Sequence, residues 1–434
     1  MSDVRIPRGR TVKLDVVNGI LKVGYNATIE ASNGKNVTVT KGVYLEGRAY
    51  INCDLECESL EPATFFSRVG EASYGSNRAR LELTGRHVTH LEVNGNLTVH
   101  KQLNVSHSVQ VKGTINAGDI DVGGRIQAGA IKVGRLRVGG RADIQNTFEA
   151  QSVDVGGKVV SVGTVKLGDL NVGGEVEVGG GSITGNIRVG GKFISKAPLE
   201  FGELLVYGKG VLPNGCKGRK VSTFGKLEVE GNITCDQVEA GGVIEIRGDC
   251  HSERVEIGGK FEVIGSVYIS DKLEGFGVTE VGCNLESAHL KVNGKLTANK
   301  ILVKEEADIS GKMEAKRGLK AKQVTVRSGS RCEGLLIGNQ VEVGKSMDLS
   351  YGSWGAWAAK WAAAGGMARV DDVFATEVVI GPMSQAAHIF ATKVKMERSS
   401  VAGQVTYTGE LKIAEGAGVS EQPRKVDTLP NPPF

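Results

Sequence analysis

From Gly140 the chain falls into four successive blocks of 17 residues that align without a gap: Gly140 to Gly156, Gly157 to Gly173, Gly174 to Gly190 and Gly191 to Tyr207. The third position holds Ala142, Val159, Val176 and Phe193, the fourteenth Val153, Leu170, Ile187 and Leu204, and the sixteenth Val155, Val172, Val189 and Val206. The frame returns, after slips of a residue or more, in Gly242 to Gly258 with Val255 and Ile257 and in Gly277 to Asn293 with Leu290 and Val292. It continues in Gly294 to Ser310 with Ala307 and Ile309, and in Gly311 to Arg327 with Val324 and Val326. Apolar residues at i and i+2, in short Val- and Ile-rich runs closed by glycine, mark strands with one buried face, and a helical period is absent. A unit of about three such strands cannot bury its inner face alone, so units must stack and hydrogen-bond to their neighbours above and below. The expected fold is all-β, a parallel β-solenoid with ~17-residue triangular coils, each advancing about 4.8 Å.

Composition fits that reading. Glycine supplies 62 of 434 residues, roughly twice the ordinary share, and sits where a corner needs positive φ or no side chain. Aromatics are only 5% of residues, so the interior must be aliphatic and filled. Proline, which cannot give its neighbour an amide, is confined mostly to the two ends, with only Pro198, Pro213 and Pro382 between Pro62 and Pro423. A formal charge of +4 over 434 residues gives no reason to expect an obligate nucleic-acid partner. The first residues have no apolar signal core and no stretch reaches the length of a membrane span, which leads to the expectation of a soluble, cytoplasmic protein. Seven scattered cysteines read as reduced, small apolar residues, with no matching second pair for Cys53 and Cys57.

Repeated Val-Gly-Gly-Lys, Val-Gly-Gly-Glu and Ile-Gly-Gly-Lys steps with alternating valine resemble the bactofilins, polymer-forming cytoskeletal proteins. The resemblance is one of repeat style, best over 91–343 and weaker over 12–55 and 377–413; this chain is several times longer than a usual bactofilin core. It implies a right-handed parallel β-helix that assembles end to end, without nucleotide, into filaments that scaffold other proteins, often beside a membrane. Elementary physics points the same way, because the end coils of any solenoid expose strand edges and open core. Val12, Leu14 and Val16 are candidates for one such end, and Phe374, Ile389 and Phe390 for the other, with ordinary core positions as the alternative.

Interruptions of the repeat suggest boundaries. Residues 1–11 read as a flexible arm and 12–350 as the β-helix, with lobe boundaries placed near 56–87 and 208–231. In the latter, Pro213-Asn214-Gly215 followed by Lys217, Arg219 and Lys220 reads as a solvated basic loop. Residues 351–368 hold all three tryptophans; Trp354, Trp357 and Trp361 share one face of a short Ala-rich helix begun by Ser353. Such a helix could cap the solenoid, dock a partner protein or lie in a membrane interface. Residues 369–418 read as further coils and 419–434 as a disordered, Pro-rich tail.

The chain offers no nucleophile motif, phosphate loop or paired Cys/His ligand set, so no catalytic residue, cofactor or metal is assigned. His87 and His90, three apart in a strand-like stretch, would face opposite sides, and the other histidines are isolated. Acyltransferase solenoids repeat in sixes, of which 17 is not a multiple, and carbohydrate-cleaving β-helices need carboxylates and aromatic platforms gathered in one groove. The expectation is therefore a non-enzymatic structural protein that self-associates. Other cytoskeletal or envelope-associated proteins and a membrane surface are further candidate partners, and the alternative is a monomeric scaffold or adaptor.

Overall fold

A computed structural model describes residues 3–63, 90–345 and 366–434. Among these the chain is all-β and contains no helix; its strands pair in parallel as about 22 coils of ~17 residues. The coils divide into two compact units, Met1–Gly202 and Glu203–Phe434.

A coil consists of one four-residue strand and one longer, bent strand. In Val165–Val172 and Glu175–Val178 the inward residues come in three pairs, Val165 with Leu167, Leu170 with Val172, and Val176 with Val178, while the residues between them face out. The third strand expected from the repeat is thus the second half of the longer one. Register advances by the sequence period: Val153 pairs with Leu170, and Leu170 with Ile187. In the first unit Ile126, Ala142, Val159, Val176 and Phe193 stack in one fully buried column. In the second, Leu227, Ile244, Phe261, Thr279, Leu296 and Met313 do the same. Because each rung's amides serve the next, the columns are held in register along their length.

Corners are fixed by two devices. At one, a side-chain oxygen accepts the backbone N–H of the next rung: Asn214 from Asn232 at 2.7 Å, Asn232 from Asp249 at 2.8 Å, and Asp249 from Ser266 at 2.7 Å. At another, glycines stack on glycines, with Gly157 N–H donating to the Gly140 carbonyl at 3.1 Å and Gly191 N–H to that of Gly174, also at 3.1 Å.

The division between Gly202 and Glu203 falls just before the lobe boundary expected near 208–231, while other details of the expected organisation differ. Val4–Ile6, read as flexible, is a strand paired with Leu21–Val23, because Ile6 continues the buried column that Val23 occupies. Residues 208–231 form an ordinary coil. Lys217, Arg219 and Lys220 lie in strand Cys216–Thr223, whose inward Cys216 and Val221 stack on Ile233 and Val238; only the turn at Gly215, φ +82°, matches expectation. No lobe ends at 56–87 either, since Ala49–Ile51 pairs directly with Leu91–Val93 and Leu55 with Leu97, so the first unit continues across 64–89. Likewise Cys332 pairs with Val370 and Leu336 with Val373, closing the stack across 346–365.

Residues 419–434, expected to be disordered, lie against the second unit. Arg424–Lys425 pairs with Thr406 and Tyr407, the Val426 N–H donates to the Tyr407 carbonyl at 2.9 Å, and the Phe434 ring lies 4.1 Å from the Lys300 ammonium. Low sequence hydropathy concealed this, since strand addition recruits the backbone rather than apolar side chains.

Candidate functional site

The outer faces carry opposite charges paired along one strand or between neighbouring rungs. Lys158 meets Glu175 at 2.7 Å, Lys226 meets Glu228 and Glu245 at 3.0 and 2.9 Å, and Lys260 meets Glu262 and Glu280 at 2.7 and 3.2 Å. Hydrogen bonding to lysine holds Glu175, Glu177 and Glu228 below the usual carboxylate range. One carboxylate is buried, Asp143, gripped by Arg125 at 2.6 Å and Arg141 at 2.7 Å. At these positions positive and negative groups neutralise one another.

Among the described residues no group of three or more His, Cys, Asp or Glu could hold a metal. His90 contacts the Ser108 hydroxyl at 2.6 Å and its ring packs edge-on to His107; burial first, then the His107 charge, lowers its pKa. His87 lies outside the described residues. Cys53 and Cys57 are buried, and burial pushes the Cys57 and Cys250 thiols up to about 12. Of the seven cysteines only Cys283 is exposed. A thiol reagent is therefore expected to label one cysteine per native chain, at Cys283, and all seven after unfolding. Labelling of a second thiol in the native state, read by mass spectrometry, would count against the packing described.

The features that stand apart from the repeating interior are its terminal coils. In the first, Val4–Ile6, Thr11–Leu14 and Val16–Val17 each pair on one side only, with Leu21–Val23, Thr28–Ala31 and Thr38–Val39. Val12 tops the column above Ile29; Val12 and Leu14 are half-buried, and Val16 is 60% exposed. The last coil, Val401–Ile413, ends two columns. Leu411 lies beyond Val394, and Ile413, beyond Met396, is 43% exposed. Strand pairing by Gly418–Val419 and Arg424–Lys425 covers Val401–Tyr407 in part, and Val405 is fully buried. Among the described residues no further strand pairs with 408–413.

Phe374, Ile389 and Phe390 are not at this end. Ile389 is fully buried beneath Val405, and the Phe374 and Phe390 rings stack on the outer face with centroids 4.3 Å apart, two rungs and one rung before the last coil respectively. The true end residues, Leu411 and Ile413, were missed although a 17-residue step carries Val394 to Leu411 and Met396 to Ile413. Trp354, Trp357 and Trp361 lie outside the described residues.

No protein-family model, curated protein or solved structure matches the chain. The site is therefore interpreted on its own geometry.

Proposed function

We propose that the chain is a cytoskeletal structural protein of the bactofilin kind. Its coils wind right-handed with a triangular section, and copies join through their terminal coils into nucleotide-independent filaments or sheets. These work in the cytoplasm, beside a membrane or among envelope-associated partners, as scaffold rather than catalyst. The observation that carries this reading is that, among the described residues, the terminal coils are paired on one side only: one-sided strands with exposed Val16 at the first coil, and the edge at 408–413 with exposed Ile413 at the last. Uncovered edges and core are templates for a further copy.

A first coil meeting a last coil is a heterologous contact, and a contact of that kind propagates into a filament.

Electron microscopy of purified chain without nucleotide tests the proposal. Filaments are expected from the native chain, and an Ile413→Asp variant, which places a charge on the open end while leaving the buried columns intact, is expected to stay monomeric. Strictly monomeric native chain at high concentration would overturn the assembly reading.

A second reading, a monomeric scaffold, is favoured by one observation: the described rungs on either side of 346–365 pair directly with one another. In this reading Trp354, Trp357 and Trp361 serve as a helical cap or as recognition groups for a protein or membrane. Replacing all three by Ala separates the readings, since lost recruitment with intact filaments assigns them to recognition.

A further inference from the structure

The face against which 419–434 lies has an unusual outward column. Strand register aligns Leu302, Lys320, Ile337, Phe374, Phe390 and Thr406 on successive rungs, and Thr406 pairs with Arg424. Outward positions elsewhere carry charges, but here two aliphatic residues and two stacked rings point outward and are half-buried. Outward rings elsewhere in the same unit are open: Phe224 is 67% exposed and Phe276 61%.

The segment matches this column in spacing and length. Pro423, Val426 and Leu429 are half-buried while the residues between them are exposed, the three-residue period of an extended polyproline-type chain. Nine residues separate Lys425 from Phe434, a reach of about 28 Å in that conformation. Four to five rungs lie between the Thr406 level and the Lys320 and Leu302 levels, a distance of about 19–24 Å. Phe434 therefore arrives at Lys300 and Lys320, whose ammonium groups stand 4.1 and 6.0 Å from its ring.

We propose that this outward column is a peptide-docking groove for an extended, proline-interrupted segment with an apolar residue at every third position and an aromatic ring at its far end, and that residues 421–434 of a second copy of this chain occupy it in trans. The cis contact seen here is light. It comprises a two-residue strand pairing, backbone N–H donation from Glu421 and Val426 to the Gly403 and Tyr407 carbonyls at 3.0 and 2.9 Å, the half-buried Pro423, Val426 and Leu429, and two cations over one ring, each an interaction of a strength that local opening releases. Residues 414–416, between the last strand and the stretch 418–421 whose N–H groups bond to Ser400, Ala402 and Gly403, are exposed, so once that stretch opens the segment can leave its own groove and remake the same contacts on a neighbour, as in domain swapping. The advantage of exchange rests on the assembly reading, because neighbours in a filament present the groove at high effective concentration; the groove itself does not.

The test is cross-linking of full-length chains in a Cys283→Ser background. One chain carries Lys320→Cys, a second carries Pro433→Cys, which keeps the Phe434 ring, and a third carries both. The doubly substituted chain is expected to close within itself on mild oxidation. A mixture of the single variants is expected to give a covalent dimer of one chain of each kind, in a yield that rises with concentration. Self-closure of the double variant with no dimer from the mixture overturns exchange, and no closure in either overturns the groove. Repeating the mixture with Ile413→Asp in both chains separates the two proposals: dimers that persist there show exchange without joining through the terminal coils. As a second measurement, a labelled peptide of residues 421–434 is expected to bind a Leu429→Ala, Phe434→Ala chain about tenfold more tightly than the native chain, whose groove is filled. Equal affinity for the two overturns the proposal.

Discussion

A Gly174→Ala chain is expected to lose more than about 3 kcal/mol of stability, although Ala is the smallest possible change at that position. A Cβ there would lie 2.2 Å from the Gly157 carbonyl oxygen, 3.1 Å from its carbonyl carbon and 3.5 Å from its Cα. The obstacle is the backbone of the rung below, which cannot turn aside as a flexible side chain would. The same approach recurs along the corner: a Cβ would stand 2.4 Å from the Gly140 carbonyl oxygen at Gly157 and 2.5 Å from that of Gly174 at Gly191. Relief at Gly174 requires its rung to separate from the one below, which breaks the bond that the Glu175 N–H donates to the Gly157 carbonyl at 3.0 Å. Gly418 is the control. It also sits in a strand of the solenoid, but a Cβ there would meet nothing within 4 Å, so Gly418→Ala should be neutral or slightly stabilising. Thermal and denaturant unfolding of the two variants checks this, and similar losses at both would contradict the close-approach explanation.

Phe261→Ala is expected to destabilise the second unit by about 3–5 kcal/mol. The ring is fully buried in a column between Ile244 and Thr279. Neither neighbour can expand into the space, because each is fixed by pairing to the rung beyond it. In a stacked architecture such damage is local before it is global, since each coil depends mainly on the coils next to it. Hydrogen exchange should accordingly show the first loss of protection over Ile244–Thr279, with rungs near Val153 and Leu170 in the first unit unchanged. A loss below about 1 kcal/mol in denaturant unfolding would mean that the ring does not fill the space between rungs.

Legibility in the sequence followed the source of each constraint. Inward columns such as Val153, Leu170 and Ile187 could be read directly because their 17-residue spacing is the register of the strands that carry them. Glycine's importance was visible, but its reason was only half so. At Gly140, Gly157, Gly174 and Gly191 the demand is close backbone approach with ordinary φ, whereas Gly215 is held at +82° by its turn.

The errors fell where backbone pairing outweighs side-chain pattern. Val4–Ile6 sits among arginines and a proline, and Lys217–Lys220 reads as a basic loop, yet both are strands because their alternate residues find partners on the next rung. Val12, Leu14 and Val16 lie in strands of the first coil. At the other end, ring size directed attention to Phe374 and Phe390, when the relevant property was the absence of a further rung above Leu411 and Ile413.

The direct pairing of rungs across 64–89 and across 346–365 has a practical consequence. The register on both sides is set by those pairs themselves, Ala49–Ile51 with Leu91–Val93 and Cys332 with Val370. A fluorescent reporter or a foreign binding module could be spliced between the paired rungs, and the chain could gain new attachments without redesign of its interior.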